Sequence, residues 1–227
     1  MNTRYFFGKV KLLLFALALW PAMAHCSDTT LRIGYYPHYQ IEKYRSLIER
    51  SYQRLGFDIQ FVAIVSSQRS LLELEKGNID AELMRSAATA SECGDAVILE
   101  PPLLTAQVML LCKQPAPCTP EVLSNPENTV IATNAQLKYW PADKQDELQA
   151  NLVTIENVQS VYGMFSQGRY DYALVSIEGN TPPEMQVSFS HVNLHQVNGY
   201  HILNRKYEHL SALLTDAIKA EMQQPQG

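Results

Sequence analysis

Few side chains in this sequence are arranged for bond-making chemistry. There is no G-x-S-x-G elbow for a nucleophilic serine, no phosphate loop and no dinucleotide fingerprint. His191 and His195 stand four apart, but Phe189-Ser190-His191-Val192-Asn193-Leu194 alternates like a strand, which argues against a helical metal site. No cofactor and no metal are implied. What remains are side chains suited to holding a molecule. Arg85 follows Asp80-Ala81-Glu82-Leu83-Met84, and its guanidinium can fork onto an anionic group or onto Glu82 itself. Arg69 stands at a helix start, ill placed for the helix dipole; it either has a binding task or is a solvated first-turn arginine. Tyr35, Tyr36 and Tyr39 offer rings that can stack on a ligand or pack beneath their own loop. Asn134 can cap a helix and leave its N–H groups for a ligand. Ser176 and Glu178 stand at and just past the end of a strand, where Glu178 can meet a cation or face solvent. The set points to capture of a small polar or anionic ligand. Turnover would need a catalytic acid, and Glu82 is the best available.

These residues sit at the ends of alternating elements. Residues 31–35 read as a strand. Over residues 40–55, Ile41, Tyr44, Leu47, Ile48, Tyr52 and Leu55 recur at helical spacing, and Gly56 stops the helix. A strand over 57–65 follows, then a helix over 68–76 opened by Ser66-Ser67 and closed by Gly77-Asn78, then a strand over 79–84. That alternation predicts a parallel α/β sheet. Leu99-Glu100-Pro101-Pro102 breaks the rhythm before a long apolar strand over 103–112. Beyond the proline-rich stretch 115–126 come a strand at 129–133, a helix from Ala135 toward Trp140, a strand at 152–154, a helix at 158–167 capped by Gly168, and a strand at 172–177. After a break at 181–183, residues 187–194 alternate weakly, 200–203 read as a returning strand, and 210–222 form an amphipathic helix.

The N-terminus has a separate role. Arg4, Lys9 and Lys11 precede an apolar run over 12–20, then Ala22-Met23-Ala24, the order of a secretory signal peptide over residues 1–24. The run is far short of the ~20 residues that span a bilayer. Export to the periplasm follows, and with it a compartment where disulfides persist. Cleavage after Ala24 leaves four cysteines, Cys26, Cys93, Cys112 and Cys118. Four allow three pairings. The short, proline-containing loop between Cys112 and Cys118 favours that pair, with reduced buried thiols as the alternative. The net charge of −5, with no basic stripe, excludes nucleic acid as a partner.

Two stretches repeat one shape: helix, Gly-x-x-Asp, apolar strand. They are Gly77-Asn78-Ile79-Asp80 and Gly168-Arg169-Tyr170-Asp171. Together with the opening strand Leu31-Arg32-Ile33-Gly34, the helix end Leu55-Gly56-Phe57, the continuation to Ala81 and a crossing strand near Pro101-Pro102, they make residues 29–222 resemble the type II periplasmic solute-binding proteins of the polar amino-acid-binding class. The resemblance implies two α/β lobes, each a mostly parallel sheet flanked by helices, joined by two crossing hinge strands. One lobe would take 29–105 plus 198–227 and the other 106–197. A ligand would be held in the cleft and the lobes would hinge shut on it. It further implies a monomeric, non-catalytic binder read by a membrane permease of an ABC transporter or by a sensor. An enzyme on the same scaffold, dehydratase-like, and a ligand-free interaction subunit of a membrane sensor are the alternatives. Two positions depart from the pattern. Glu92 stands where relatives place a carboxylate-gripping arginine, and Ser176 where they place an amine-binding aspartate. Arg85, in a pattern resembling the Asp-Gly-Glu-x-x-Arg of short relatives, is the candidate replacement.

Overall fold

The computed structural model describes residues 30–37, 39–64, 66–138, 140–179, 182 and 184–224. The signal-peptide reading and Cys26 therefore lie outside the described residues, as does the side chain of Tyr39.

Each half of the chain begins as a strand–helix–strand unit. In the first half, β1 (Leu31–Tyr35) leads to α1 (Tyr39–Arg54), which buries Tyr44, Leu47, Ile48 and Tyr52. Gly56, at φ +80°, turns the chain into β2 (Ile59–Ala63). The left-handed conformation that glycine tolerates ends the helix here. Then α2 (Ser67–Glu75) starts at Ser66, whose hydroxyl accepts from the Arg69 N–H at 3.5 Å, and leads to β3 (Ala81–Ser86). A four-residue helix, α3 (Ala87–Ala90), precedes β4 (Ala96–Lys113). The second half repeats the scheme with β5 (Thr129–Thr133), α4 (Asn134–Lys138), β6 (Asn151–Ile155), α5 (Val158–Ser166) and β7 (Tyr172–Glu178). The chain returns along β8 (Phe189–Asn204) and ends in α6 (Ser211–Met222). Among the described residues no helix is long and apolar enough to cross a membrane.

The strands form one sheet in the order β2-β1-β3-β8-β4-β7-β5-β6. Parallel pairs β1–β2 and β1–β3 make one wing; β5–β6 and β5–β7 make the other. Between them β4 and β8 run antiparallel along nearly their whole length and link the wings. Each wing packs helices on its faces, with separate cores around Leu47, Ile48 and Leu83 in the first and around Leu110, Ile131 and Phe165 in the second. The architecture is two-lobed α/β, as the sequence predicts. Two expectations change. Pro101 and Pro102 lie inside β4, and residues 189–194 and 200–203 belong to one strand, β8. The prolines are tolerated because the β4–β8 register shifts between Leu99 and Leu104, so the regular ladder does not run through them.

The repeated Gly-x-x-Asp closes each wing the same way. After Gly77 (φ +69°), Asp80 accepts from the Arg32 N–H at 2.7 Å and pairs with Lys206 at 2.6 Å. After Gly168 (φ +70°), Asp171 pairs with Lys113 at 2.5 Å. Each aspartate thus ties a strand start to a lysine at the end of a long linking strand or just beyond it. Cys112 and Cys118 form a disulfide with a Cα–Cα separation of 5.5 Å, as favoured from the short loop. Cys93 is buried and free.

Candidate functional site

Strands of a parallel wing end where the following helices begin, and the two wings here turn those ends toward each other. Tyr35 and Tyr36 come from the end of β1, and Arg85 and Ser86 from the end of β3. From the other wing come Thr133 at the end of β5, Glu156 and Val158 at the β6–α5 junction, and Ser176 on β7. All eight line one cavity of about 320 Å³. A second chamber of about 300 Å³ shares Tyr36, Arg85, Thr133 and Ser176 with it and extends over β4 and β8. Both volumes fall at the small end of the range for ligand pockets, ~300–1,000 Å³.

The floor of the first chamber is a charge pair. Glu82 is 2% exposed. Arg85 donates to one of its oxygens through Nε and to the other through Nη2 at 2.9 Å, and the Ser70 hydroxyl donates to Glu82 as well. A buried carboxylate needs this many donors. Of the two roles open to Arg85 in the sequence, the fork onto Glu82 is the one present. Tyr35 stacks edge-on to Phe61, with the Arg45 guanidinium 4.6 Å from the Tyr35 ring centre. Burial raises the pKa of the Tyr36 hydroxyl, with the Val158 backbone of the other wing acting in the opposite direction. Ser176 accepts from the Gln136 amide at 3.2 Å.

Other sequence-predicted residues stand elsewhere. Arg69 does not reach the cavity; its side chain is 74% exposed and pairs with Glu73 at 3.7 Å along α2. Asn134 is the first residue of α4 and does not cap it. That task falls to Thr133, whose hydroxyl accepts from the Gln136 N–H at 3.2 Å, and Asn134 instead donates to Glu156 at 2.7 Å. Glu178, partly exposed, does not line either chamber. Its carboxylate takes Lys43 at 2.6 Å and the Tyr44 hydroxyl at 2.9 Å, both on α1 of the other wing.

Sequence reasoning does not single out Ser70 or Glu156, and it weighs His195 only as half of a metal pair that it sets aside. One signal could have found Glu156. It precedes Asn157, the N-cap of α5, at a strand-to-helix junction that the internal repeat sets opposite Ser66 before α2. His195 lines the second chamber, edge-on to Trp140 at 4.8 Å. Burial, with Lys144 nearby, holds its pKa below the ordinary histidine value. Among the described residues no group of three or more His, Cys, Asp or Glu side chains is placed to hold a metal.

No protein-family model matches the sequence, and no curated protein matches it. Solved structures do match in fold. The periplasmic domain of BvgS from Bordetella pertussis superimposes with a TM-score of 0.67 at 15% identity, over 84% of this chain and 40% of that one. The chain thus spans about two fifths of that one's length. An amino acid ABC transporter substrate-binding protein, AbpA from Streptococcus pneumoniae, bound to L-arginine, gives 0.67 at 15% identity over 87% and 90% of the two chains. The ancestral amino acid-binding protein AncCDT-1, a precursor of cyclohexadienyl dehydratase, gives 0.66 at 15% over 86% and 90%.

Proposed function

We propose that this chain, which has the two-lobed fold of the type II periplasmic solute-binding proteins, is an exported binder that closes on a small polar solute between its lobes, for uptake or sensing. The observation that carries this is the cavity lined from both wings at their strand ends, with Tyr36, Arg85, Thr133, Glu156 and Ser176 converging on it. A molecule seated there touches both lobes at once, so its binding and lobe closure are one event. The proposed lobe boundaries are 105/106 in β4 and 197/198 in β8, within the two linking strands. Export rests on the signal peptide over residues 1–24.

The reading is of a binder and not a catalyst. Glu82, the acid an enzyme would need, is engaged by Ser70 and Arg85. A second reading, a ligand-free interaction subunit of a membrane sensor, draws on the bond set from Glu178 to Lys43 and Tyr44, which joins the lobes with protein groups alone. Thermal-shift screening of the exported chain against a broad metabolite set, with native mass spectrometry for a co-purified ligand, separates the two. A ligand of the folded state must raise the melting temperature. A blank screen with no co-purified mass would overturn the binding reading.

A further inference from the structure

We infer that the cleft selects an amphipathic amine: a molecule with a protonated head, an apolar body of about the size of one ring, and no carboxylate. This rests on the binding reading and names its ligand class.

The head follows from the charges. Among the described residues lining the two chambers, the charged side chains are Glu82, Arg85 and Glu156. Glu82 and Arg85 neutralise each other through the forked bonds, and Ser70 adds a further donor to the carboxylate. Glu156 is left as the net charge of the lining. It is exposed, and Asn134 steadies it with an uncharged amide at 2.7 Å, so among the described lining residues no cation is left over to cancel its charge. His195, in the second chamber, is held toward its neutral form by burial and adds no counter-charge at neutral pH. A carboxylate entering this space meets a net negative wall, and a protonated amine meets a partner.

The body follows from the second chamber. Its walls include Met84, Leu104, Ala106, Val108, Val158 and Val197, contributed by β3, the two linking strands and α5. The two chambers join at Tyr36, Arg85 and Ser176. A head near Glu156 therefore leaves an apolar body lying over β4 and β8, where its burial strengthens binding.

The test uses four probes on the exported chain by calorimetry: phenethylamine, phenylpropionate, phenylalanine and ethanolamine. Phenethylamine should bind at least tenfold more tightly than each of the others. Glu156→Gln keeps the bond to Asn134 and, being at an exposed position, should leave the fold intact. It should weaken phenethylamine about tenfold, a figure discounted for that exposure, while leaving uncharged phenethyl alcohol unchanged. Phenylpropionate or phenylalanine binding as tightly as the amine overturns the ligand class and leaves the binding reading standing. Failure of all four probes also overturns the class, whereas the binding reading falls only if the broad metabolite screen is blank as well.

Discussion

Replacing Glu178 by alanine should open the ligand-free protein. Glu178 ends β7, and its carboxylate reaches across the cleft to α1, where Lys43 lies at 2.6 Å and the Tyr44 hydroxyl at 2.9 Å. The two bonds differ in worth. The Lys43 and Glu178 side chains are 46% and 29% exposed, so solvent screens their attraction to ~0–1 kcal/mol. Tyr44 is 6% exposed, and burial together with its bond to Glu178 keeps its pKa well above the ordinary tyrosine value, so it stays a donor. A hydrogen bond to a charged group contributes ~1.5–3 kcal/mol, less here because Glu178 is partly exposed. The sum is about 2 kcal/mol, or roughly thirtyfold in the ratio of closed to open forms. Small-angle scattering of the ligand-free chain reads this as a larger radius of gyration for Glu178→Ala. Tyr44→Phe should give most of the change and Lys43→Met little of it, and added salt should erase only the Lys43 part. Superimposable scattering from wild type and Glu178→Ala would refute the reasoning, as would a wild type already open without ligand.

Further outcomes follow from the same interior. Arg85→Ala leaves the Glu82 carboxylate buried with its fork gone, and should lower unfolding free energy by about 3 kcal/mol, whereas the double change Glu82→Gln with Arg85→Met should recover most of that in urea titrations. Equal losses for single and double variants would show that the pair is not the cause. His201 is fully buried between Tyr52 and the Leu83 carbonyl, and burial pushes its pKa down to about 4. Its unfolded value is about 6.5, so between those values the unfolded chain binds more protons and stability falls as pH falls, by up to about 3 kcal/mol. A urea midpoint that stays flat from pH ~6.5 to ~4 would contradict this. Below about pH 4.5 a second loss should follow from Glu221, whose carboxyl is held low by hydrogen bonds from Arg50 and Arg54. Replacing Cys112 and Cys118 with alanine removes a crosslink between residues six apart and should lower stability by about 2 kcal/mol; an unchanged midpoint would count against it.

Local chemistry made much of the fold legible. Gly56, Gly77 and Gly168 stop helices because each has a positive φ that other residues resist, and those stops separate helix from strand in the sequence. The spacing of Tyr44, Leu47, Ile48 and Tyr52 marks the buried face of α1 without knowledge of what covers it. The six-residue spacing of Cys112 and Cys118 favours their bridge, because a short loop brings them within reach. All of these are interactions within a few residues of chain.

The partners of the polar side chains are another matter. Arg85 had two roles open in sequence, and the three-residue step to Glu82 became an ion pair only once Ser70 and the packed core took the carboxylate out of water. Pro101 and Pro102 read as a break, yet the shifted pairing with β8 lets β4 run through them. Glu178 looked free to meet a ligand until the topology brought it to Lys43, 135 residues away in sequence. Glu156 becomes a wall of the cleft because the linking strands turn the second wing's strand ends toward the first. The sequence by itself determined the helices, strands and caps, whose energies depend on neighbouring residues. Only the tertiary structure decided which charges are cancelled and which face the cleft, because a charge acts on whatever the folded chain places within a few ångströms of it.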